Sequence, residues 1–119
     1  AYDIPLRLVG SEMCIRDRLY PASWFQPNYA TWIGESDENQ AWDNLYRTRS
    51  DFEEAKKSGN FSQEQLDQAY EYMLLAEGSD WFWWYGIDQD STVDYYFDQA
   101  FKDLLNMVYL SLGLEQPNF

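Results

Sequence analysis

The sequence contains no histidine and only one cysteine, Cys14. Without histidine, imidazole-based zinc sites and hydrolytic mechanisms in which histidine activates a serine or cysteine have no candidate residues. A single cysteine excludes a disulfide within the chain. Glycine-rich loops that bind phosphates are also missing from the sequence. We therefore expect no cofactor and no histidine-dependent catalysis.

Positive charge is also scarce, since 8 lysine and arginine residues face 21 aspartate and glutamate residues, for a net charge of −13. Such a chain is repelled by the phosphates of nucleic acids and by anionic lipid headgroups. The sequence has no apolar run long enough to span a bilayer and no signal-peptide pattern at its start. We expect neither nucleic acid nor a membrane as a partner.

The stretch Leu8–Arg18 differs from the rest of the chain, because it has few aromatic residues and no period of 2 or 3.6. It resembles the translation of a sequencing adapter that recurs at the ends of metagenomic gene fragments. We therefore predict that residues 1–18 are a non-native leader and that residues 19–117 form one domain. The alternative is a genuine disordered leader.

Three segments after a proline- and tryptophan-containing loop have the periodicity of amphipathic helices. They begin near Asp37, Ser62 and Asp94, and no strand-like alternation separates them. This pattern predicts an all-α fold, a three-helix bundle. The recurring residues are Trp42, Leu45, Tyr46, Arg49 and Phe52 in the first segment, Leu66, Ala69, Tyr70, Met73 and Ala76 in the second, and Phe97, Phe101, Leu104, Leu105, Val108 and Leu112 in the third.

Residues typical of helix ends flank these segments. Ser36 or Asp37 is suited to cap the first helix, which we expect to end at Gly59. Ser62 and Gln65 have the spacing of a capping box. Gly113 is typical of the position after a helix, so the third helix is predicted to end near Leu112.

The most unusual segment is the aromatic run Trp81–Tyr85, which follows Asp80 and has three tryptophans within four positions. So many large rings cannot all enter one small core, so some of them should line a surface or cleft. Continuing the spacing of the second helix beyond Ala76 places Asp80 on the buried face. Rings beside a carboxylate are typical of sites for hydroxyl-rich ligands such as sugars. The alternative is that the rings only pack between helices.

A second aromatic segment, the loop from Trp24 to Glu35, is either a further part of such a cleft or a hydrophobic plug that covers the bundle. Its candidate ligand-facing residues are Trp32 and Glu35.

The spacing of Asp88, Asp90 and Asp94 is similar to that of a calcium-binding loop, with Thr92 as a further oxygen donor. However, valine occupies the position that requires glycine, and glutamine occupies the position of the bidentate glutamate. Capping of the third helix explains Asp94 more simply, and we expect no metal site.

The segment Ala76–Gly86, with its Asp-Trp-Phe-Trp-Trp motif, resembles the fifth conserved region of glycoside hydrolase family 57, in its amylopullulanase and α-amylase branch. The resemblance continues through Asp88–Ser91 and Asp94–Asp98. Upstream it includes Ser23-Trp24 and Thr31–Glu35, so that it covers about residues 20–117.

The resemblance implies a parent enzyme with a catalytic (β/α)₇ barrel followed by this helical region. It implies a retaining mechanism on α-glucans such as starch, maltooligosaccharides or pullulan-like chains. The catalytic carboxylates of that family belong to the barrel, so this chain is expected to contain no catalytic residue, to be inactive alone and to have the barrel as its partner. The site residues implied or favoured are Asp80 and Trp83, which match sugar-facing positions of the family, then Trp81 and Trp84 in the same run, and Trp32 and Glu35 at the rim.

Two other functions stay open from the sequence. One is a non-catalytic carbohydrate-binding module, and the other is a helical interaction domain whose aromatic residues pack against a partner protein.

Overall fold

The computed structural model describes residues 22–24, 26–85 and 94–119. The predicted leader, residues 1–18, lies outside the described residues. All the regular secondary structure of the described residues is helical, with α1 at Ser36–Ser58, α2 at Gln63–Ala76, the short α3 at Ser79–Trp83 and α4 at Asp94–Leu112. The prediction of an all-α fold with three main helices is confirmed.

The ends of the long helices coincide with their local signals. Gly59 and Gly113, just after α1 and α4, have φ angles of 71° and 68°, a left-handed conformation that glycine adopts without strain. At the start of α2, the backbone N–H of Gln65 donates to Ser62 Oγ at 3.2 Å. The Ser62 N–H donates to Gln65 Oε1 at 3.0 Å, which completes the predicted capping box.

The start of α1 differs from the prediction by one residue. Glu35, not Ser36 or Asp37, is the N-cap, and it forms a capping box with Glu38. Glu38 Oε2 accepts the backbone N–H of Glu35 at 3.1 Å. Glutamate reaches this arrangement because its side chain bonds back to the first turn, where the helix dipole favours negative charge.

The core lies among α1, α2 and α4, and the most extensive helix–helix contact joins α2 to α4. The buried faces contain most of the predicted apolar residues, while Trp42, Tyr46 and Tyr70, predicted on those faces, are exposed. Both tyrosines lie at the edge of their stripe, where a phenol can keep its hydroxyl in water. The core residues are Ala41, Leu45, Phe52, Ala55, Ala69, Met73, Ala76, Phe82, Phe101, Leu105, Val108 and Leu112.

Arg49 connects α1 to the end of α2. Its guanidinium bonds Glu77, the residue after α2, at 3.1 Å and Glu53 at 3.0 Å. It also lies over the rings of Phe52 and Tyr70, at 5.9 and 6.0 Å. Glu77 therefore has a structural partner. This contact holds the end of α2, from which the aromatic run starts.

Candidate functional site

The aromatic run forms a separate short helix because the chain breaks after α2. Gly78 has an extended backbone, with φ −61° and ψ 134°, and α3 begins at the next residue. Trp81 Nε1 donates to the carbonyl oxygen of Leu75 at 2.9 Å. This carbonyl lies in the last turn of α2 and also accepts the backbone N–H of Gly78, at 3.4 Å. Trp81 thereby folds α3 back against the end of α2.

Because of this break, the residues that are buried differ from those expected for a continuous helix. Phe82 is fully buried, whereas Asp80 is exposed to solvent. The prediction that Asp80 lies on the buried face was wrong, because one extended residue at Gly78 changes the rotational phase of everything after it. An exposed carboxylate needs no buried partner and is accessible to a ligand.

Phe82 fixes the run to the rest of the molecule. Its ring stacks on Trp42 of α1, with centroids 3.9 Å apart and planes at 11°. It meets Phe101 of α4 edge-on, at 5.7 Å. With this central ring anchored, the tryptophans on either side of it are only half-buried. The expectation that some rings of the run line a surface is confirmed.

An open groove lies on the outer side of α3, and we call it the tryptophan groove. Its volume is about 570 Å³. One carboxylate and four aromatic rings line it, from Asp80, Trp83, Trp84, Trp24 and Phe97. It therefore combines broad apolar faces with hydrogen-bond acceptors, and it brings three of the predicted site residues together.

Ring contacts hold two of the groove walls in place. Trp32 lies 5.6 Å from Trp83 between ring centroids, with the planes tilted by 59°. Trp84 stacks on Phe97 of α4 at 4.9 Å and 16°. Trp24, by contrast, is 87% exposed. Two walls of the groove are thus held by ring contacts, while the Trp24 side is open to water.

Three other predicted site residues have structural contacts and do not line the tryptophan groove. Trp81 packs against Phe101 at 6.1 Å. Trp32 packs on the core, and its carbonyl oxygen accepts Trp42 Nε1 at 2.8 Å. Glu35 caps α1. The loop from Trp24 to Glu35 was predicted to be either part of a cleft or a hydrophobic plug. Trp32 fits the plug, because it packs on the core, whereas Trp24 fits the cleft, because it lines the groove.

The sequence did not predict a polar cluster that Tyr85, the last residue of the run, forms with Asp98 and Lys102 of α4. The Tyr85 hydroxyl donates to Asp98 Oδ1 at 2.8 Å, and Lys102 Nζ lies 2.9 Å from Asp98 Oδ2. Burial, followed by the bond to Asp98, raises the pKa of Tyr85 well above its usual range, so its hydroxyl stays protonated and donates. The spacing of Asp98 and Lys102 by four residues was visible, but their contact with Tyr85 required the tertiary fold.

The calcium-loop hypothesis falls largely on Asp88, Asp90 and Thr92, which lie outside the described residues; Asp94 begins α4. Within residues 22–24, 26–85 and 94–119, no three potential metal ligands lie close enough together to hold an ion. None of the helices described there has both the length and the apolarity needed to cross a bilayer.

Comparisons with known proteins found no match. No protein-family model matches the chain, and neither the curated proteins nor the solved structures contain a significant relative. The geometry of the tryptophan groove and the sequence motif are therefore the basis for proposing a function.

Proposed function

We propose that this chain is the helical C-terminal region of a retaining, α-glucan-acting glycoside hydrolase of the family 57 type. In this proposal the tryptophan groove positions the substrate beside a catalytic barrel. The observation that carries it is the groove itself, in which the Asp80 carboxylate shares one surface with the rings of Trp83 and Trp84. The Asp-Trp-Phe-Trp-Trp motif, residues 80–84, supplies the family assignment.

The chemistry of the groove fits a pyranose. A sugar ring has apolar faces of C–H groups and a rim of hydroxyls, so it needs a flat ring to pack on and an acceptor at the edge. Trp83 supplies the flat face and the exposed Asp80 supplies the charged acceptor. Hydrogen bonds to a charged group contribute about 1.5–3 kcal/mol, more than those between neutral groups.

The geometry of the tryptophan groove supports a role in positioning the substrate for the reaction. A substrate held in one orientation reacts faster because its loss of translational and rotational freedom precedes the chemical step. The bond-breaking carboxylates belong, in this proposal, to the barrel. The chain alone is therefore expected to bind glucan without cleaving it.

The barrel as partner agrees with exposed apolar side chains outside the groove. Leu74 and Leu75 at the end of α2 are 48% and 56% exposed, and Tyr95 and Tyr96 at the start of α4 are each 69% exposed. Neighbouring exposed apolar residues of this kind are typical of surfaces that another domain covers.

The first test measures binding of maltotriose to the full chain by isothermal titration calorimetry. We expect Asp80→Ala and Trp83→Ala each to weaken binding by about tenfold or more, since each removes about 1.4 kcal/mol or more of contact. Tyr46→Ala is a matched aromatic control, because Tyr46 is 75% exposed on α1 and does not line the groove. Equal binding by all four proteins would contradict the role of the groove.

The second test separates the hydrolase from a carbohydrate-binding module. It joins the chain to the upstream barrel recovered from the intact gene and measures kcat/KM on maltooligosaccharides. We expect Asp80→Ala to lower kcat/KM by about tenfold or more with an unchanged melting temperature. Binding without any effect of Asp80 on hydrolysis would favour the binding module instead.

A further inference from the structure

A second groove lies on the other side of the Trp84–Phe97 stack, and we call it the polar groove. Its volume is about 390 Å³, and it lies between the first turns of α1 and the first turns of α4. Both rings of the stack line this groove as well as the tryptophan groove. The two grooves are therefore neighbours that share one aromatic wall.

The side chains of the polar groove include both donors and acceptors. Gln40 Nε2 donates to Asn44 Oδ1 at 3.1 Å, which leaves the Asn44 amide N–H groups and the Gln40 carbonyl oxygen for other bonds. Lys102 has three N–H donors, and its ion pair with Asp98 uses one of them. Mixed donors and acceptors match sugar hydroxyls, which both donate and accept.

The carboxylates and rings of the polar groove would also fit an organic cation. Asp37, Asp94 and Asp98 line it, against one lysine, Lys102, which pairs with Asp98. A cation would use only the acceptors, and the Lys102 ammonium would repel it. A neutral polyhydroxylated ligand can use the acceptors together with the N–H donors of Lys102 and Asn44, so it is the class that the whole set favours.

We propose that the polar groove is a second sugar subsite, so that one glucan chain lies across the Trp84–Phe97 stack and occupies both grooves. This inference rests on the proposed function of the tryptophan groove. Volumes of about 390 and 570 Å³ both lie in the usual size range of small-molecule sites. A chain that occupies both grooves gains affinity from the second, because its first contact has already restricted its motion.

The proposal predicts that affinity depends on ligand length. The experiment measures the dissociation constants of maltose, maltotriose and maltohexaose for the full chain by titration calorimetry. We expect maltohexaose to bind about tenfold or more tightly than maltose. Lys102→Met and Asn44→Ala should each weaken maltohexaose binding by about tenfold and leave maltose binding unchanged, since each removes bonds only in the polar groove.

Both substitutions are suited to this test. Asn44→Ala places the strongest helix former within α1, and Lys102 makes a partly exposed ion pair of small energetic value. Lys57→Met in the last turn of α1 is the matched control, because Lys57 is exposed and does not line either groove. Melting temperatures verify that each variant is folded.

The outcomes separate the two proposals. Length-dependent affinity that Lys102→Met and Asn44→Ala selectively remove supports the second subsite. Binding that is equal for all lengths, sensitive to Trp83→Ala and insensitive to both polar-groove variants overturns the second subsite and retains the tryptophan groove. No binding of any of the three sugars overturns both.

Discussion

Replacing Phe82 tests the inference that this one ring anchors the aromatic run. Phe82 has no solvent-exposed surface. Phe82→Ala would leave a cavity among α1, α3 and α4, and substitutions of this type cost about 3–5 kcal/mol. Because domains are stable by only about 5–15 kcal/mol, that loss threatens cooperative folding. Phe82→Leu is the more informative change, since it retains most of the volume.

The cost of Phe82→Leu follows from the ring contacts that it removes. The stacked pair with Trp42 at 3.9 Å and the edge-on pair with Phe101 at 5.7 Å are both lost. Aromatic pairs contribute about 0.5–1.5 kcal/mol each beyond their buried area, so the two together account for about 1–3 kcal/mol. For a domain of this size, we expect the melting temperature to fall by roughly 4–8 °C per kcal/mol.

The assay is thermal unfolding followed by circular dichroism at 222 nm, with tryptophan emission as a second probe. Tyr46→Leu is the matched control, because it makes a similar aromatic-to-leucine change at a side chain that is 75% exposed. Its expected effect is within about 0.5 kcal/mol. If Phe82→Leu and Tyr46→Leu lower the melting temperature equally, Phe82 is not the anchor and the derivation of the groove from it fails.

Two further predictions concern α4 and α2. Burial and a 2.6 Å hydrogen bond to Asp51 raise the pKa of Tyr109 from 10.0 to about 12, so its stabilising contribution is complete below pH 10 and is lost as the pH rises towards 12. Tyr109→Phe should therefore show a smaller fall in melting temperature between pH 10 and pH 12 than the original chain, and an identical fall would count against this linkage. Ser62→Ala removes the N-cap acceptor of α2 and should cost about 1 kcal/mol in urea unfolding, whereas Ser79→Ala, at an exposed position whose side chain caps no helix, should change little. Equal effects of these two substitutions would argue against the cap.

The sequence predicted the helix ends well because each end depends on residues close together in the chain. The capping box of Ser62 and Gln65 and the left-handed glycine after α1 need no distant partner. Glu35 was missed as a cap because glutamate rarely has this role, and only its pairing with Glu38 makes it effective.

The site was less predictable because it depends on a change in the direction of the chain between α2 and α3. Extending the period of α2 through Gly78 assumed a continuous helix and so placed Asp80 on the buried face, whereas the structure exposes Asp80 and buries Phe82. The bond from Trp81 Nε1 to Leu75 that stabilises the turn is not encoded in any periodic pattern. The cluster of Tyr85, Asp98 and Lys102 likewise needed the packing of α4 against the run.

The shortness of α3 links ligand binding to folding. A helix of five residues is far below the length that is stable in isolation, so α3 exists only while its central ring is docked in the core. The tryptophan groove is therefore a property of the folded ensemble and disappears whenever this segment detaches. A ligand that fills the groove stabilises the docked state by mass action, and its affinity is reduced by whatever fraction of molecules has α3 undocked. Core packing at one phenylalanine thus sets how much of the protein is competent to bind at all.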